Sequence, residues 1–503
     1  MPVERSGNVG GSRRRRPHPT TVAERAGAES RWPSGQTATG LAALLAVACG
    51  GGSGPSGSTS PVASVTVVPA AVNIAVGDSV QLRAITKDAS GTVVFGRAVT
   101  WTSNAPGVAT VPTTASPTAF VTAVASGNAV VTATSEGQSG SASTLVGLVF
   151  TDVSTGSAHT CGITIVGTAY CWGNNSNYEL GLGPTTGPDG CGGTSQLYWC
   201  STKPAAVAST LAFQMLSLGS GFSCGLATNE ALYCWGLDSL GQLGNGGTSS
   251  QQAPAPVVGT TASFTAVSAG TVHACGLTST KALYCWGANS WGQLGNGMTT
   301  TSSVPVAVAG GYSWVAVSVG DYHTCGVTLG GAAFCWGFGF YGELGNGSAG
   351  SVSTPSAVAS SATFAAVSAG SEYSCGLTTG GAAYCWGRND FGNLGDSTTL
   401  QRFAPVAVVG GLTFTSIGTA TNHTCGLVPG GTMHCWGYGF ETAPVPAGSG
   451  LTFATLSVSI GGLHACGIAT TRMTYCWGDN SVGQLGTGTT TSSATPVKVV
   501  GQP

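Results

Sequence analysis

The stretch that decides the fold is residues 273–297, which read HACGLTSTKALYCWGANSWGQLGNG. Its two cysteines, Cys275 and Cys285, lie ten positions apart, and a Trp-Gly dipeptide follows the second. The same arrangement occurs seven times between residues 161 and 478, at a period of about fifty residues. Repeats of this length are typical of propellers, solenoids and other arrays, in which each unit buries its faces against its neighbours.

The repeat predicts short strands rather than helices. In the copy quoted above, strands are expected at residues 256–258, 264–270, 273–278 and 282–287. Four short strands per unit fit one blade of a β-propeller. Only 7% of the 503 residues are charged and 81 are glycine, a composition that favours strands and turns. We therefore expect an all-β fold, with a seven-bladed β-propeller over residues 148–503.

A proline is expected to begin the first strand of each later repeat, a position that proline tolerates. These prolines are Pro204, Pro256, Pro305, Pro355, Pro405 and Pro444. The first repeat has no such strand before it, and one extra copy, residues 496–499, follows the last cysteine pair. The last strand, residues 496–500, is therefore predicted to complete blade one and to remove an exposed sheet edge.

Each cysteine pair is expected to form a disulfide within its own blade. Residues that face each other across a hairpin have Cα atoms about 4.5–5.5 Å apart, within the roughly 4.4–6.8 Å that a disulfide needs. The pairs with ten-residue spacing are Cys161 with Cys171, Cys224 with Cys234, Cys275 with Cys285, Cys325 with Cys335, Cys375 with Cys385, Cys425 with Cys435, and Cys466 with Cys476. An eighth pair, Cys191 with Cys200, lies in an insertion in repeat one.

Zinc binding is the alternative interpretation of the cysteines. A histidine precedes the first cysteine by two residues in five repeats, and a His-Cys-Cys set could bind zinc. The second and fifth repeats have Phe222 and Tyr373 at that position and keep both cysteines. If the histidine and the two cysteines bound one metal ion, a repeat without the histidine would be expected to lack the cysteines too. Disulfides are therefore favoured, and no metal site is expected. The histidines are then interpreted as buried hydrogen-bonding residues between blades.

The amino-terminal residues 1–49 are predicted to direct export. Four arginines at residues 13–16 precede a short apolar run, residues 40–48, and this order is typical of secretory signals. The run is shorter than the roughly 20 residues that span a bilayer. It ends in Leu-Ala-Val-Ala-Cys, which resembles the bacterial lipoprotein signal, and the resemblance implies lipidation of Cys49. An ordinary cleaved signal is the alternative. Residues 50–61, mostly Gly, Ser, Thr and Pro, are predicted to form a flexible linker.

Residues 62–147 predict a separate small β-sandwich. Apolar and polar residues alternate there, and turn signals recur every eight to twelve residues. The segments at residues 76–82, 99–103, 108–111 and 127–129 resemble the bacterial immunoglobulin-like group 2 domain. The resemblance implies that Trp101 is the buried core tryptophan. It also implies a spacer role on a surface protein.

The order of signatures in the repeat region resembles the regulator of chromosome condensation repeat family. Gly-x-x-His-x-Cys is followed by Cys-Trp-Gly and then by Gly-Gln-Leu-Gly, as in the copy at residues 270–295. The resemblance covers residues 148–503. It implies a seven-bladed propeller, and it also brings the family's nucleotide exchange activity on a small GTPase as a candidate function.

Candidate ligand-binding residues are those that depart from the repeat. The insertion in repeat one carries Tyr198 and Trp199, and repeat six lacks the Gly-x-Leu-Gly loop. Large side chains at or near these loops could form an aromatic platform of the kind that interfaces favour; these are Tyr178, Trp291, Tyr341, Phe391 and Phe440. Alternatively, each of these residues packs against its own loop.

The function expected from these features is that of an exported, surface-anchored, non-enzymatic binding protein. Its propeller would recognise an unknown protein or glycan. The protein itself is expected to be a monomer that is attached to the membrane only by a lipid anchor. No catalytic residue and no cofactor are expected. Residues 148–503 carry six Lys and Arg against twelve Asp and Glu, which excludes nucleic acid as a favoured partner. Guanine-nucleotide exchange and a polysaccharide-active enzyme are the alternatives.

Overall fold

The computed structural model describes residues 60–184, 187–191 and 198–502, and the side chain of Tyr198 lies outside this description. The predicted export segment at residues 1–49, the lipidation at Cys49 and nearly all of the predicted linker at residues 50–61 therefore fall outside the described residues. Throughout the described part the regular elements are strands, as the composition predicts, and the expected all-β fold is confirmed.

The first eight strands form a sandwich of two four-stranded sheets. They are β1 (Ser64–Val68), β2 (Ala71–Ala75), β3 (Ser79–Lys87), β4 (Thr100–Ser103), β5 (Ala109–Thr110), β6 (Thr118–Ala123), β7 (Gly127–Ser135) and β8 (Gln138–Gly147). The sheet orders are β1-β3-β6-β5 and β2-β8-β7-β4. Trp101 is 4% exposed in the core between the sheets, as the family resemblance implies. Its indole Nε1 donates a hydrogen bond to the carbonyl oxygen of Ser116 at 2.8 Å.

The propeller is built from the remaining strands. Those of blades one to three are β9 (Phe150–Thr155), β10 (His159–Thr164), β11 (Ala169–Asn174), β12 (Asp189–Cys191), β13 (Tyr198–Ala206), β14 (Phe213–Leu218), β15 (Phe222–Ala227), β16 (Leu232–Gly236), β17 (Gln251–Pro256), β18 (Phe264–Ala269), β19 (His273–Thr278), β20 (Leu283–Gly287) and β21 (Ser302–Ala307). Those of blades four to seven are β22 (Trp314–Val319), β23 (His323–Thr328), β24 (Ala333–Gly337), β25 (Val352–Ala357), β26 (Phe364–Ala369), β27 (Tyr373–Thr378), β28 (Ala383–Gly387), β29 (Arg402–Ala407), β30 (Ser416–Thr419), β31 (His423–Leu427), β32 (Thr432–Gly437), β33 (Val445–Val458), β34 (His464–Ala469), β35 (Thr474–Gly478) and β36 (Ser493–Lys498).

Blades two to five are four-stranded antiparallel sheets whose strands follow chain order from the inner strand to the outer one, whereas in blade one β12 lies outside β13. Blade three, for example, has the order β18-β19-β20-β21. Its second and third strands place Cys275 directly opposite Cys285. The hairpin therefore brings the two cysteines of a repeat together, as the ten-residue spacing predicts.

All eight predicted disulfides are present. Seven of them staple the second strand of a blade to its third strand, and these join Cys161 to Cys171, Cys224 to Cys234, Cys275 to Cys285, Cys325 to Cys335, Cys375 to Cys385, Cys425 to Cys435, and Cys466 to Cys476. Their Cα atoms are 4.0 to 4.1 Å apart, which is closer than the predicted 4.5–5.5 Å. The eighth bridge joins Cys191 to Cys200 in the insertion of blade one, with Cα atoms 5.9 Å apart.

The proline-containing strands belong to the blade before them and not to the blade after. β36 pairs with β35 and places Val497 opposite Cys476, so the prediction that residues 496–500 complete blade one is wrong. They form the fourth strand of blade seven, while β13 is the fourth strand of blade one, with β12 paired outside it. After each Cys-Trp-Gly segment the chain forms a loop and returns as the next strand, which pairs with the strand that ends in that segment. Proline is tolerated there because an outer strand has a free edge that needs no N–H donor.

The ring closes by contact between blades seven and one rather than by a shared sheet. The backbone N–H of Thr155 donates to Ser457 Oγ at 3.0 Å, and that of Leu148 donates to the carbonyl oxygen of Gly501 at 2.6 Å. Blades six and seven are joined differently. β33 runs on as the outer strand of one and the inner strand of the other, which makes a seven-stranded sheet.

Candidate recognition face

Two sets of loops share one end of the propeller, here called the upper face. Because the strands alternate in direction, the loop between the first and second strands of a blade lies at the same end as the loop after the third. The first set includes residues 320–322 of blade four, and the second set includes residues 338–351 of the same blade. The upper face therefore carries the loops in which most of the candidate binding residues lie.

Each Gly-x-Leu-Gly loop on this face also packs against the next blade. In blade three, Leu294 is fully buried. The carbonyl oxygen of Gln293 accepts hydrogen bonds from Trp336 Nε1 at 3.0 Å and Thr324 Oγ1 at 2.9 Å, both in blade four. The equivalent pairs of a carbonyl and a tryptophan are Gln484 with Trp172, Glu179 with Trp235, Gln242 with Trp286, Glu343 with Trp386, and Asn393 with Trp436.

In four of the five repeats that carry it, the repeated histidine forms a second link between blades, which confirms its interpretation as a buried hydrogen-bonding residue there. His323 Nε2 lies 2.8 Å from Ser374 Oγ in the next blade. Burial lowers the pKa of His323 to about 3, so its imidazole is neutral and belongs to the scaffold. The other pairs of this kind are His159 with Ser223, His273 with Thr324, and His464 with Thr160, and Tyr373 makes the same link to Thr424 through its hydroxyl.

The disulfides and these histidine links exclude the zinc alternative at the repeated positions, since the thiolates that would bind metal are consumed. Among the described residues, no group of three or more His, Cys, Asp or Glu side chains is arranged to hold a metal ion. A helix long and apolar enough to cross a membrane is likewise not found in that part of the chain.

An exposed aromatic cluster lies on the upper face over blades three and four. The indole of Trp291 packs edge-to-face on Phe338 and Phe340, with ring centroids 5.1 and 5.9 Å apart. Phe338 also lies 6.1 Å from Tyr341 and 6.4 Å from Tyr322. Phe340 is 52% exposed and Trp291 is 40% exposed. These rings contact one another through their edges and faces, and large parts of their apolar surface remain exposed to solvent.

The cluster continues into blade five through an arginine. The guanidinium carbon of Arg388 lies 5.2 Å from the ring centroid of Tyr341, a distance at which a cation is attracted to the ring face. Arg388 also forms ion pairs with Glu372 and Asp390. Hydrogen bonds from Arg388 to these carboxylates raise its pKa, and they hold the guanidinium over the ring.

The remaining exposed rings lie on blades five and six. Phe391 packs edge-to-face on Tyr438 with a centroid distance of 5.3 Å. Phe440 lies 6.0 Å from the imidazole of His423. Together the exposed and half-buried side chains of blades three to six form what we call the aromatic strip, which consists of Trp291, Phe338, Phe340, Tyr341, Arg388, Phe391, Tyr438 and Phe440.

Four of the seven sequence-predicted candidates lie in the strip. Trp291 and Tyr341 are brought together through Phe338. Phe391 and Phe440 lie further along, on the next two blades. The sequence reasoning missed Phe338, Phe340, Arg388 and Tyr438. Phe338, Arg388 and Tyr438 each follow a Cys-Trp-Gly segment directly, and that shared position is the signal that could have found these three.

The two other candidates with described side chains lie on blade one. Trp199 is 54% exposed on β13, opposite Gly190 in the small sheet that the bridge between Cys191 and Cys200 closes. Tyr178 takes the place of a loop glycine and has a φ of 68°, in the left-handed region that favours glycine. The backbone of Tyr198 pairs with that of Cys191, and its side chain is outside the described residues.

Two buried carboxyls near this face hold their own loops. Glu343 replaces the usual loop glutamine, and its Oε2 accepts the N–H of Tyr341 at 2.8 Å. Glu179 accepts the N–H of Asn177 at 2.7 Å in blade one. Burial raises the pKa of Glu343 to about 8 and that of Glu179 to about 7. Each carboxyl therefore holds its own loop in the manner of the amide it replaces.

Comparison with known proteins places both parts of the chain. The family described as RCC1-like domain matches residues 139–503, and the bacterial Ig-like domain (group 2) matches residues 61–146. The RCC1 domain-containing protein RUG3, mitochondrial, of Arabidopsis thaliana is 31% identical over 159 residues, which are 31% of this chain and 34% of that protein. The ultraviolet-B receptor UVR8 of the same plant is 31% identical over 159 residues, 31% of this chain and 33% of the receptor. The chain thus spans about a third of the length of these relatives.

Solved structures agree on the fold. Human WBSCR16 superposes with a TM-score of 0.59 at 18% identity, covering 66% of this chain and 94% of that protein. Yeast RCC1 (Prp20), in its complex with Kap60, superposes with a TM-score of 0.53 at 18% identity, covering 62% of this chain and 78% of that protein. At this identity the likeness concerns the propeller fold alone.

Proposed function

This chain belongs to the RCC1-like domain family, and on that premise we propose that it is an exported, surface-anchored, non-enzymatic protein that recognises a protein or glycan through the aromatic strip. The propeller provides a rigid ring, and the bacterial Ig-like domain acts as a spacer between the ring and the anchor at Cys49. No step of chemistry is assigned to the chain.

The observation that carries the proposal is the strip itself. Trp, Tyr and Arg are the residues that most often dominate binding energy at interfaces, and all three occur here on one face. The strip lies on loops that are fixed by docking on the neighbouring blade or by ring contacts. A surface fixed before binding loses little conformational entropy when a ligand arrives.

Export is supported by the sulfur chemistry. Eight disulfides, most of them fully buried, lie in the propeller region of the chain. Disulfides persist in secreted and envelope proteins, whereas reducing systems in the cytosol keep thiols free. The same compartment argues against nucleotide exchange on a cytosolic GTPase, and the activities of relatives matched over a third of their length are not transferred.

Capture from envelope extracts and culture supernatant, together with a glycan array, tests the proposal. The full chain is compared with the double variant Trp291→Ala/Phe340→Ala. The matched control is Leu329→Ala, because Leu329 is 71% exposed in a turn at the opposite end of blade four. We expect the double variant to lose at least about thirtyfold in affinity, the magnitude of a hot-spot truncation, and the control to bind normally. Equal binding by all three proteins would refute the strip as the recognition surface.

A further inference from the structure

Blade six breaks the docking pattern that the other six blades follow. It lacks the Gly-x-Leu-Gly loop, whose carbonyl accepts the indole N–H of the next blade elsewhere in the ring. Within the described residues, the indole N–H of Trp477 has no hydrogen-bond partner, whereas Trp336 donates to Gln293. Trp477 is 8% exposed, while the other six tryptophans of the repeat are 0% exposed. The indole that a loop of the preceding blade covers elsewhere in the ring is therefore slightly exposed here, beside the buried Ala465.

The histidine link is broken at the same place. In blade six the histidine is His423, and the position that carries the hydroxyl partner in most blades is Ala465 in blade seven. No hydrogen bond reaches either ring nitrogen of His423 in the described structure. The only other alanine at this position, Ala274, faces Phe222, and both lie in one apolar cluster. In that case both residues are apolar, so no polar group lacks a partner. The imidazole of His423 faces an alanine instead and has no hydrogen-bond partner among the described residues.

Exposed apolar side chains lie around this position, at the end of the aromatic strip. Phe440 is 40% exposed and its ring lies 6.0 Å from that of His423. Leu463, in the adjoining upper loop of blade seven, is 60% exposed, and Thr421 Oγ1 contacts the neighbouring carbonyl of Gly462 at 3.5 Å. We call this surface the blade-six notch and define it by His423, Phe440, Leu463, Ala465 and Trp477.

The other blades indicate what fits such a surface. At each of the six docked positions, one leucine is fully buried and the preceding carbonyl accepts the indole N–H of the next blade. The leucines are Leu180, Leu243, Leu294, Leu344, Leu394 and Leu485. The notch thus lacks one backbone carbonyl acceptor, one aliphatic side chain and one partner for an imidazole. A tight protein turn supplies the first two together.

We propose that the blade-six notch binds a turn of a protein partner, which presents a backbone carbonyl to Trp477 and a leucine-sized side chain in the place that a docked leucine takes on the other blades. The inference rests on the proposed function and names the partner class for one end of the same strip. A partner that inserts such a turn repeats across an interface the contact that the chain makes six times within itself. His423 acts as the polar specificity residue. A partner with a hydrogen-bonding group opposite the imidazole binds more tightly, whereas a partner without one buries an unsatisfied polar group and binds more weakly.

The test uses a head-to-tail cyclic peptide of residues 237–246, the docking loop of blade two, which contains no tryptophan. The full chain carries ¹⁵N in its indoles and ¹³C in its imidazoles, and the Trp477 signal is assigned with Trp477→Phe. We expect millimolar or tighter saturable binding, with shifts at Trp477 Nε1–H and at the His423 ring. The peptide carrying Leu243→Ala should bind at least about tenfold more weakly, as expected when a buried leucine is truncated.

The matched variant of the protein fills the notch from within by replacing residues 438–442 with residues 288–300, the loop of blade three. We expect this graft to abolish peptide binding. A second variant, Ala465→Ser, keeps the loop absent and offers His423 a hydroxyl, so it should retain binding and change the His423 shift. Undisturbed Trp477 and His423 signals at millimolar peptide, or equal binding by the graft, would overturn the proposal. Shifts at Trp477 caused by an arrayed glycan but not by the peptide would overturn it in favour of a carbohydrate.

These outcomes separate this inference from the proposed function. If Trp291→Ala/Phe340→Ala loses its ligand while the peptide leaves the notch unaffected, the strip stands and the notch does not. If the peptide binds and the strip variant captures ligand normally, the notch stands and the strip is wrong.

Discussion

The contrast between Trp336 and Trp477 gives a stability prediction with an internal control. Trp336→Phe removes the donor to Gln293, which keeps only its bond from Thr324 at 2.9 Å. A net hydrogen bond contributes roughly 0.5–1.5 kcal/mol, and shrinking a buried indole to a phenyl ring should cost about 1–2 kcal/mol more in lost packing. We expect a loss of about 1.5–3.5 kcal/mol in the free energy of unfolding, the sum of these two contributions.

Trp477→Phe removes a ring of the same size that makes no hydrogen bond within the described residues. It should therefore lose only the packing contribution, about 1–2 kcal/mol. Urea unfolding followed by circular dichroism, with the disulfides intact, measures both. The slope with denaturant should stay constant, since the folded state is as compact in each variant. Equal losses, or a larger loss for Trp477→Phe, would refute the claim that loop docking links the blades.

Three further outcomes follow from the scaffold. Replacing Cys325 and Cys335 together by serine should lower the free energy of unfolding by about 2–3 kcal/mol in the chain-entropy view, measured by denaturant titration; an unchanged midpoint would contradict a stapling role. Burial lowers the pKa of His323 to about 3, so the folded state resists a proton that the unfolded state takes up near pH 6.5, and stability is lost as the pH falls below that value by up to about 1.4 kcal/mol per pH unit. His323→Tyr, the solution that blade five uses at Tyr373, should make the acid-side loss less steep, and identical pH profiles would speak against a buried neutral imidazole. Tyr178→Gly should stabilise the chain by about 0.5–1 kcal/mol by relieving a φ of 68°, and a loss of stability would show that the ring of Tyr178 contributes packing.

The hairpins could be predicted from the sequence because a disulfide constrains geometry locally. Cys275 and Cys285 must face each other across a short turn, and Trp286 then has to point into the space between blades. The pairing of the outer strands could not be predicted in the same way. β36 is close in sequence to the end of blade seven and, through ring closure, close in space to blade one, and the proline pattern fits either edge.

The site was partly predictable for a related reason. Trp291 and Tyr341 occupy repeated loop positions, so their departure from the repeat is visible in the sequence. Their contact through Phe338 depends on the spacing between neighbouring blades, which the repeat does not encode. The same holds for His423 and Ala465, which lie 42 positions apart in the sequence. Their mismatch becomes visible only when the partner positions of the other blades are known.

Non-reducing peptide mass spectrometry on protein isolated from native cells with a thiol-trapping reagent tests the account most directly. Both the disulfide-bonded blades and the inference of export rest on oxidised cysteines. We expect the trapped protein in the envelope or secreted fraction, with Cys275 linked to Cys285 and every other pair joined within its own blade. Unblocked thiols throughout these pairs, in protein recovered from the cytosol, would contradict the account.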